Sequence, residues 1–228
     1  MDRRQFLSAA AATGTLTLAG CLGGGGPAVE TTPERTDGGG QSVDSHPAAA
    51  DLAAQPRMGD LGGHVIITFE DPSCPRCAAF HSRTVPEITE QLVAPGTAAL
   101  VARTYPVVYE WGGPATHALE AAFDRSSDAF WALYGHYFEE QSQFDTDNVL
   151  DRTEQFLAAE TDVDATAVTE DVETDAYADA VQQDLDAGQN ADVGRTTPTV
   201  LLFRDGQYVT RASGSVSYDI VATALGEG

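Results

Sequence analysis

The stretch HVIITFEDPSCPRCAAFH, residues 64–81, decides how this chain is read. It opens as an apolar run, 65–69, rich in strand-forming residues. A turn follows at Asp71, Pro72 and Ser73, and then Cys74-Pro75-Arg76-Cys77 heads a stretch of helical character. A buried strand thus delivers a C-x-x-C pair to the first turn of a helix. There the unpaired N–H groups and the positive end of the helix dipole favour a thiolate over a thiol. Cys74 is therefore expected to be a nucleophile of lowered pKa. Cys77 lies one turn further in, within reach to close a disulfide with it. Pro75 stands where a missing N–H costs nothing, and Arg76 adds a positive charge beside the thiolate. The other reading of C-x-x-C is half of a structural zinc site, which needs four ligands. Cys21 lies far away in a leader segment, His81 could be a third ligand by spacing, and no fourth suggests itself. Neither a metal nor an organic cofactor is expected.

Composition narrows the function classes. The 228 residues carry 12 basic and 35 acidic side chains, a formal charge of −23, and every basic residue is arginine. Such a surface cannot neutralise phosphates, which excludes nucleic acid as a partner. A lysine-free acidic surface suits concentrated salt, where a Debye length of roughly 3 Å screens self-repulsion. It points to an extreme halophile of haloarchaeal type. A hydrophobic fraction of 42% supports one sizeable core.

Residues 1–20 read as a targeting segment. Arg3 and Arg4 followed by Phe6-Leu7 have the form of a twin-arginine export signal. The apolar region after them is too short to span a membrane. Leu18-Ala19-Gly20-Cys21 has the form of a lipobox whose cysteine is lipidated. Residues 21–58 have no hydrophobic period and read as a disordered tether in which His46 has no role. The folded domain is expected over 59–228. Its elements are a helix over 77–93 kinked at Pro86, a second strand over 98–108, and an all-helical block over about 113–190 with Gly188 as a C-cap. A hairpin turning at Asp205-Gly206 and a closing helix over 218–225 follow. Thr197-Pro198 precedes the hairpin; a cis bond there would expose the Thr197 backbone to an extended chain.

Taken together, residues 69–81, Pro86, Tyr105-Pro106, the helical block and Thr197-Pro198-Thr199-Val200 resemble a DsbA-type thioredoxin-fold thiol–disulfide oxidoreductase. The resemblance implies an α/β fold: a mixed sheet flanked by helices, with an all-helical insertion. It also implies that Cys74 attacks, Cys77 resolves, and Pro198 is a cis-proline facing them, with Thr197 and Pro198 receiving substrate. Two positions depart from the pattern. Thr68 stands where many relatives carry a buried carboxylate, and Pro75-Arg76 replaces a pair whose second member is a histidine or tyrosine.

The function expected is disulfide exchange with exported protein thiols, in the oxidising direction, by a protein held on the outer membrane face through Cys21. A membrane redox partner would reset it. An extracytoplasmic reductase and a non-catalytic binding lipoprotein are the alternatives.

Overall fold

A computed structural model describes residues 40–228. Five strands form one mixed sheet in the order β1-β3-β2-β4-β5: β1 Arg57–Met58, β2 His64–Glu70, β3 Ala98–Thr104, β4 Thr199–Arg204 and β5 Gln207–Ser213. β2 runs parallel to β3 and antiparallel to β4, at the centre of the sheet. Both faces of β2 are covered, which is why it reads as an unbroken apolar run rather than an alternating one. Val65, Ile67 and Phe69 point to one layer with Val101, Leu201 and Phe203. Ile66 points to the other, with Leu100, Val200 and Leu202.

The second layer is closed by α1 (Pro75–Arg83), α2 (Val85–Ile88) and the C-terminal α8 (Tyr218–Leu225). The helix expected over 77–93 is divided. α1 stops at Thr84, Pro86 sits in the first turn of α2, and residues Thr89–Val93 widen into a π turn. Pro86 lacks the N–H a continuous helix needs, so the chain restarts at the proline. The block between β3 and β4 holds α3 (Gly112–Arg125), α4 (Ser127–Glu139), α5 (Val149–Glu160), α6 (Ala165–Glu173) and α7 (Ala178–Asn190). Phe130, Tyr134, Tyr137 and Phe138 of α4 are buried in a core that also includes Cys74 and Cys77. The hairpin turns at Asp205-Gly206, both at positive φ (51° and 74°), as a tight antiparallel connection requires.

Three expectations are corrected. The tether does not extend to residue 58. Among the described residues, 41–58 pack on the domain: Val43 N donates to Gly206 O and Tyr208 N to Gln41 O, both at 2.8 Å. His46 stacks on Tyr208 at 4.8 Å and accepts the Ala48 N–H. Polar and alanine-rich composition hid an ordered segment anchored by backbone hydrogen bonds, by the His46 ring, and by the small apolar contacts of Ala48, Ala49, Val43 and Leu52 with the core. β3 stops at Thr104 rather than 108, because Pro106 has no N–H and a buried carboxylate captures the next two. Gly188 is not a cap. It lies inside α7, where a Cβ would come within 2.4 Å of the Tyr105 ring.

Arg103 ties these parts together. Its side chain is fully buried and donates to Ala48 O at 2.8 Å, to Ala50 O, and to Asp184 Oδ1 of α7 at 2.6 Å. Asp184 Oδ2 also accepts the Thr104 N–H at 2.7 Å. Removing one partner of such a buried pair costs about 3–5 kcal/mol. Glu120 of α3 joins the network through Thr104 at 3.3 Å without touching the guanidinium. Burial raises both carboxyls, and the Asp184 charge raises Glu120 further. A raised carboxyl pKa means the folded state holds a proton the unfolded chain releases near pH 4.5. Its stability is therefore lost as pH rises from there toward the folded value. Glu120→Gln is expected to melt several degrees higher than the parent at pH 8, about 1–2 kcal/mol, and equally at pH 4.5. Thermal melts at the two pH values check it, and equal melting points at pH 8 would contradict it.

Candidate active site

The site is built where β2 ends. Asp71, wholly buried, follows the last strand residue. Its Oδ1 accepts from Ser73 N at 2.7 Å and Ser73 Oγ at 2.6 Å, which fixes the turn. Its Oδ2 accepts from Val107 N and Val108 N, each at 2.7 Å. One carboxylate therefore shapes the loop before Cys74 and ends β3. Gly112 is needed beside it: a Cβ there would lie 2.5 Å from Asp71 Oδ1 and 2.9 Å from Ser73 Oγ. From the helical block, Gln141 Nε2 donates to Pro72 O at 2.7 Å and Cys74 O at 3.1 Å.

Cys74 is the N-cap residue of α1, and its carbonyl accepts from Cys77 N and Ala78 N at 3.0 and 3.1 Å. Both thiols are buried and neither is cross-linked. The Cys74 Sγ–H donates to Thr197 O at 3.3 Å. The Thr197–Pro198 peptide is cis, and Pro198 O accepts the Gly214 N–H at 2.8 Å. Thr197, 123 residues away in the sequence, thus stands against Cys74 with the cis bond to Pro198 beside it.

The two thiols differ in acidity. The Cys77 thiol, donating to the Cys74 sulfur, is the chief cause that brings Cys74 down to about 5, against the opposing effect of burial. The Thr197 hydroxyl, buried and without another partner, adds to this, as do the N–H groups of Cys77 and Arg76. The Thr197 carbonyl acts the other way, since only the thiol can donate to it. Cys77 is pushed far up, first by burial, then by donating to Cys74 and by the charge of Glu70. Arg76 reaches Cys74 through its backbone; its guanidinium lies toward Gly214, whose Cβ would sit 4.0 Å from Nη1. Pro75 takes the first helical position and offers no N–H.

Behind Cys77 lies a pair that the sequence reading passed over. Glu70, 1% exposed, has Oε2 3.1 Å from His81 Nε2, close enough for an ion pair but poorly aligned for a hydrogen bond. His81 stacks on Phe138 at 4.1 Å and meets the Tyr134 ring edge-on. Burial and the Glu70 charge push the Tyr134 phenol well up. So a buried carboxylate is present after all. It stands four residues before Cys74, while Thr68 only donates to Val101 O at 3.4 Å. An acidic residue ending an apolar strand was the available signal. Cys21, Arg3 and Arg4 lie outside the described residues.

Solved structures share this arrangement of elements. Bacillus subtilis BdbD, in its oxidised form, superposes with a TM-score of 0.69 at 20% identity, covering 83% of this chain and 96% of that one. The Wolbachia pipientis thiol-disulfide exchange protein α-DsbA2 gives 0.62 at 16% identity over 79% and 89%. Chlamydia trachomatis DsbA gives 0.62 at 17% identity over 76% and 90%. At these identities the likeness is one of fold. No curated protein sequence matches the chain significantly. The family model described as thioredoxin matches residues 54–217, which includes the whole sheet and both cysteines. The chain belongs to the thioredoxin family.

Proposed function

We propose that this protein is a thiol–disulfide oxidoreductase that oxidises protein thiols through Cys74 and Cys77. The observation that carries the reading is the divided acidity of the pair: Cys74 down to about 5, Cys77 far up. In the oxidised form a substrate thiolate attacks the Cys74 sulfur. The Cys74–Cys77 bond breaks, and its electron pair leaves on Cys77, which takes up a proton. The substrate is now joined to Cys74. Its second thiolate attacks the substrate sulfur, and Cys74 leaves as a thiolate, the better leaving group. The substrate has lost two electrons and two protons; the enzyme has gained two electrons and one proton, and the other proton goes to solvent. Cys77 could return to attack the mixed disulfide only as a thiolate, which its raised pKa opposes, so the intermediate is biased toward product. Thr197 and Pro198 line the approach to Cys74 and offer backbone to an extended substrate. No metal or organic cofactor takes part, and a membrane partner accepts the two electrons that reset the dithiol.

Stabilising the reduced thiolate makes a couple oxidising. Equilibration with glutathione buffers is expected to place it in the upper half of the range from about −270 mV to about −120 mV. A value at or below the lower end would replace this reading with the reductase one.

The same reading places the protein outside the cell, exported through Arg3-Arg4 and anchored at a lipidated Cys21 in a high-salt organism. The order of charged start, apolar middle, small residues and cysteine supports it. Arg3→Lys with Arg4→Lys is expected to leave full-length precursor in the cytoplasm, because that address is read by a receptor. Cys21→Ala is expected to release protein to the medium or leave it unprocessed. Membrane fractionation decides both, and a Cys21→Ala protein still firmly bound to membranes would contradict the anchor.

A further inference from the structure

Beside the cysteines, α1 and the loop 214–218 enclose a cleft of about 240 Å³. Phe80 and Val216 give it an apolar floor, and Arg76 and Arg83 stand on its wall. It adjoins the reactive site through two of its lining residues, Arg76 and Gly214. Arg76 lies between the two cysteines, and Gly214 is hydrogen-bonded to Pro198 O at 2.8 Å.

A cleft shared by two unpartnered arginines is unusual for this chain. Acidic residues outnumber basic ones 35 to 12. Six of the other described guanidiniums are engaged, Arg103 with Asp184, Arg125 with Asp171, Arg152 with Gln143, and Arg57, Arg195 and Arg211 with backbone carbonyls, while Arg204 at the far end of β4 has no such partner among the described residues. Among the described residues, neither Arg76 nor Arg83 has a carboxylate within 4 Å or a hydrogen-bond partner, although Glu87 borders the same cleft. Both side chains are exposed. Across Cys74, a second cleft is aromatic and acidic, with Tyr109, Trp111, Glu110 and Asp145. The surface around the sulfur is thus polarised, with free cations on one side and carboxylates on the other.

We propose that the arginine cleft receives an acidic segment flanking the substrate's reactive cysteine, with its carboxylates on Arg76 and Arg83. The proposal rests on the disulfide-exchange reading and names its substrate class. A planar guanidinium matches a carboxylate with two parallel N–H donors. At ionic strengths that do not screen it, the acidic cleft opposite repels the same segment, so the two together select which side of the cysteine carries the charge. An exposed pair of this kind is worth up to about 1 kcal/mol, or about fivefold per arginine.

The test uses the full chain at the lowest salt at which circular dichroism shows it folded. Three dithiol peptides are compared, flanked by aspartate and glutamate, by serine and asparagine, or by arginine. Turnover is read as kcat/KM for oxidation. Binding is read separately, as fluorescence anisotropy of labelled peptides with serine in place of cysteine. The acidic peptide is expected to exceed the neutral one about fivefold or more in both measurements, with the margin shrinking as salt rises. Arg83→Gln is expected to cut the acidic-to-neutral ratio about fivefold, Arg76→Gln similarly, and Arg83→Lys less. Equal values for acidic and neutral peptides in both measurements would overturn the proposal. So would a preference that survives in the double glutamine variant. Failure to oxidise any peptide would remove the exchange reading, and the anisotropy series would still decide the cleft.

Discussion

Cys77→Ala is expected to stop turnover and to accumulate the protein joined covalently to its substrates. With Cys74 alone, attack on a substrate disulfide gives a mixed disulfide; return attack by Cys77, slowed by its raised pKa, is the only release from within the enzyme, and the variant lacks it. Non-reducing gels of membranes from cells carrying the variant should show higher-mass bands that vanish with reductant. Cys74→Ala should show none, because Cys77 is wholly buried and its thiol is held far from ionising. The reverse pattern would exchange the two roles. A second effect follows from the geometry. Cys77 is the chief cause of the low Cys74 pKa, so its removal raises that value. Below the new pKa, each unit of rise cuts the thiolate fraction about tenfold, while its intrinsic nucleophilicity grows only about threefold. Alkylation of Cys74 at pH 6 should therefore slow by about threefold per unit. Cys77→Ser, which keeps a donor beside the sulfur, should restore part of the rate.

Much of the fold could be read from local pattern. An apolar run ending at C-x-x-C, a helical block without strand signals, and Asp205-Gly206 between two β-rich runs each constrain a single element. The mixed sheet with its helical insertion follows from their order. What escaped was whatever depends on side chains meeting across the fold. Asp71 reads as an ordinary turn former, yet its second oxygen ends β3 some 36 residues later. Glu70 reads as an exposed strand end, and only the packing of α4 over α1 buries it against His81. Gln141 has no local signal at all; it matters because the insertion folds back over the Cys74 turn. Residues 41–58 looked unstructured because much of their order comes from backbone bonds and from carbonyls held by Arg103, and their core contacts are small and scattered, none of which a hydrophobic period reports. Arg76 could be placed between the cysteines but not aimed; its guanidinium faces the cleft wall and leaves the thiolate to backbone and thiol donors.

The reduction potential is expected to change its slope with pH near pH 5. Below that point reducing the disulfide takes up two protons with two electrons, and the potential falls about 60 mV per pH unit. Above it Cys74 stays ionised while Cys77 keeps its proton, so one proton accompanies two electrons and the slope halves to about 30 mV. Stability must carry the same signature. The folded reduced protein releases the Cys74 proton above about 5, whereas the unfolded chain holds it until near 9. In that window the unfolded state binds more protons, so the reduced form gains stability as pH rises and loses it as pH falls through about 5. The oxidised form has no thiol to ionise and lacks this contribution. Between pH 5 and pH 7 the reduced form should gain about 2 kcal/mol over the oxidised one, the equivalent of about 50 mV in the oxidising direction. Groups that titrate alike in both forms, the many surface carboxylates among them, cancel in that difference. Glutathione equilibria and paired melting curves of the two forms, taken from pH 4 to pH 8, measure the same quantity by separate routes. An unbroken slope of about 60 mV per unit across that range, with a constant difference in melting temperature, would mean that Cys74 is an ordinary thiol and that the oxidising direction has no basis in this site.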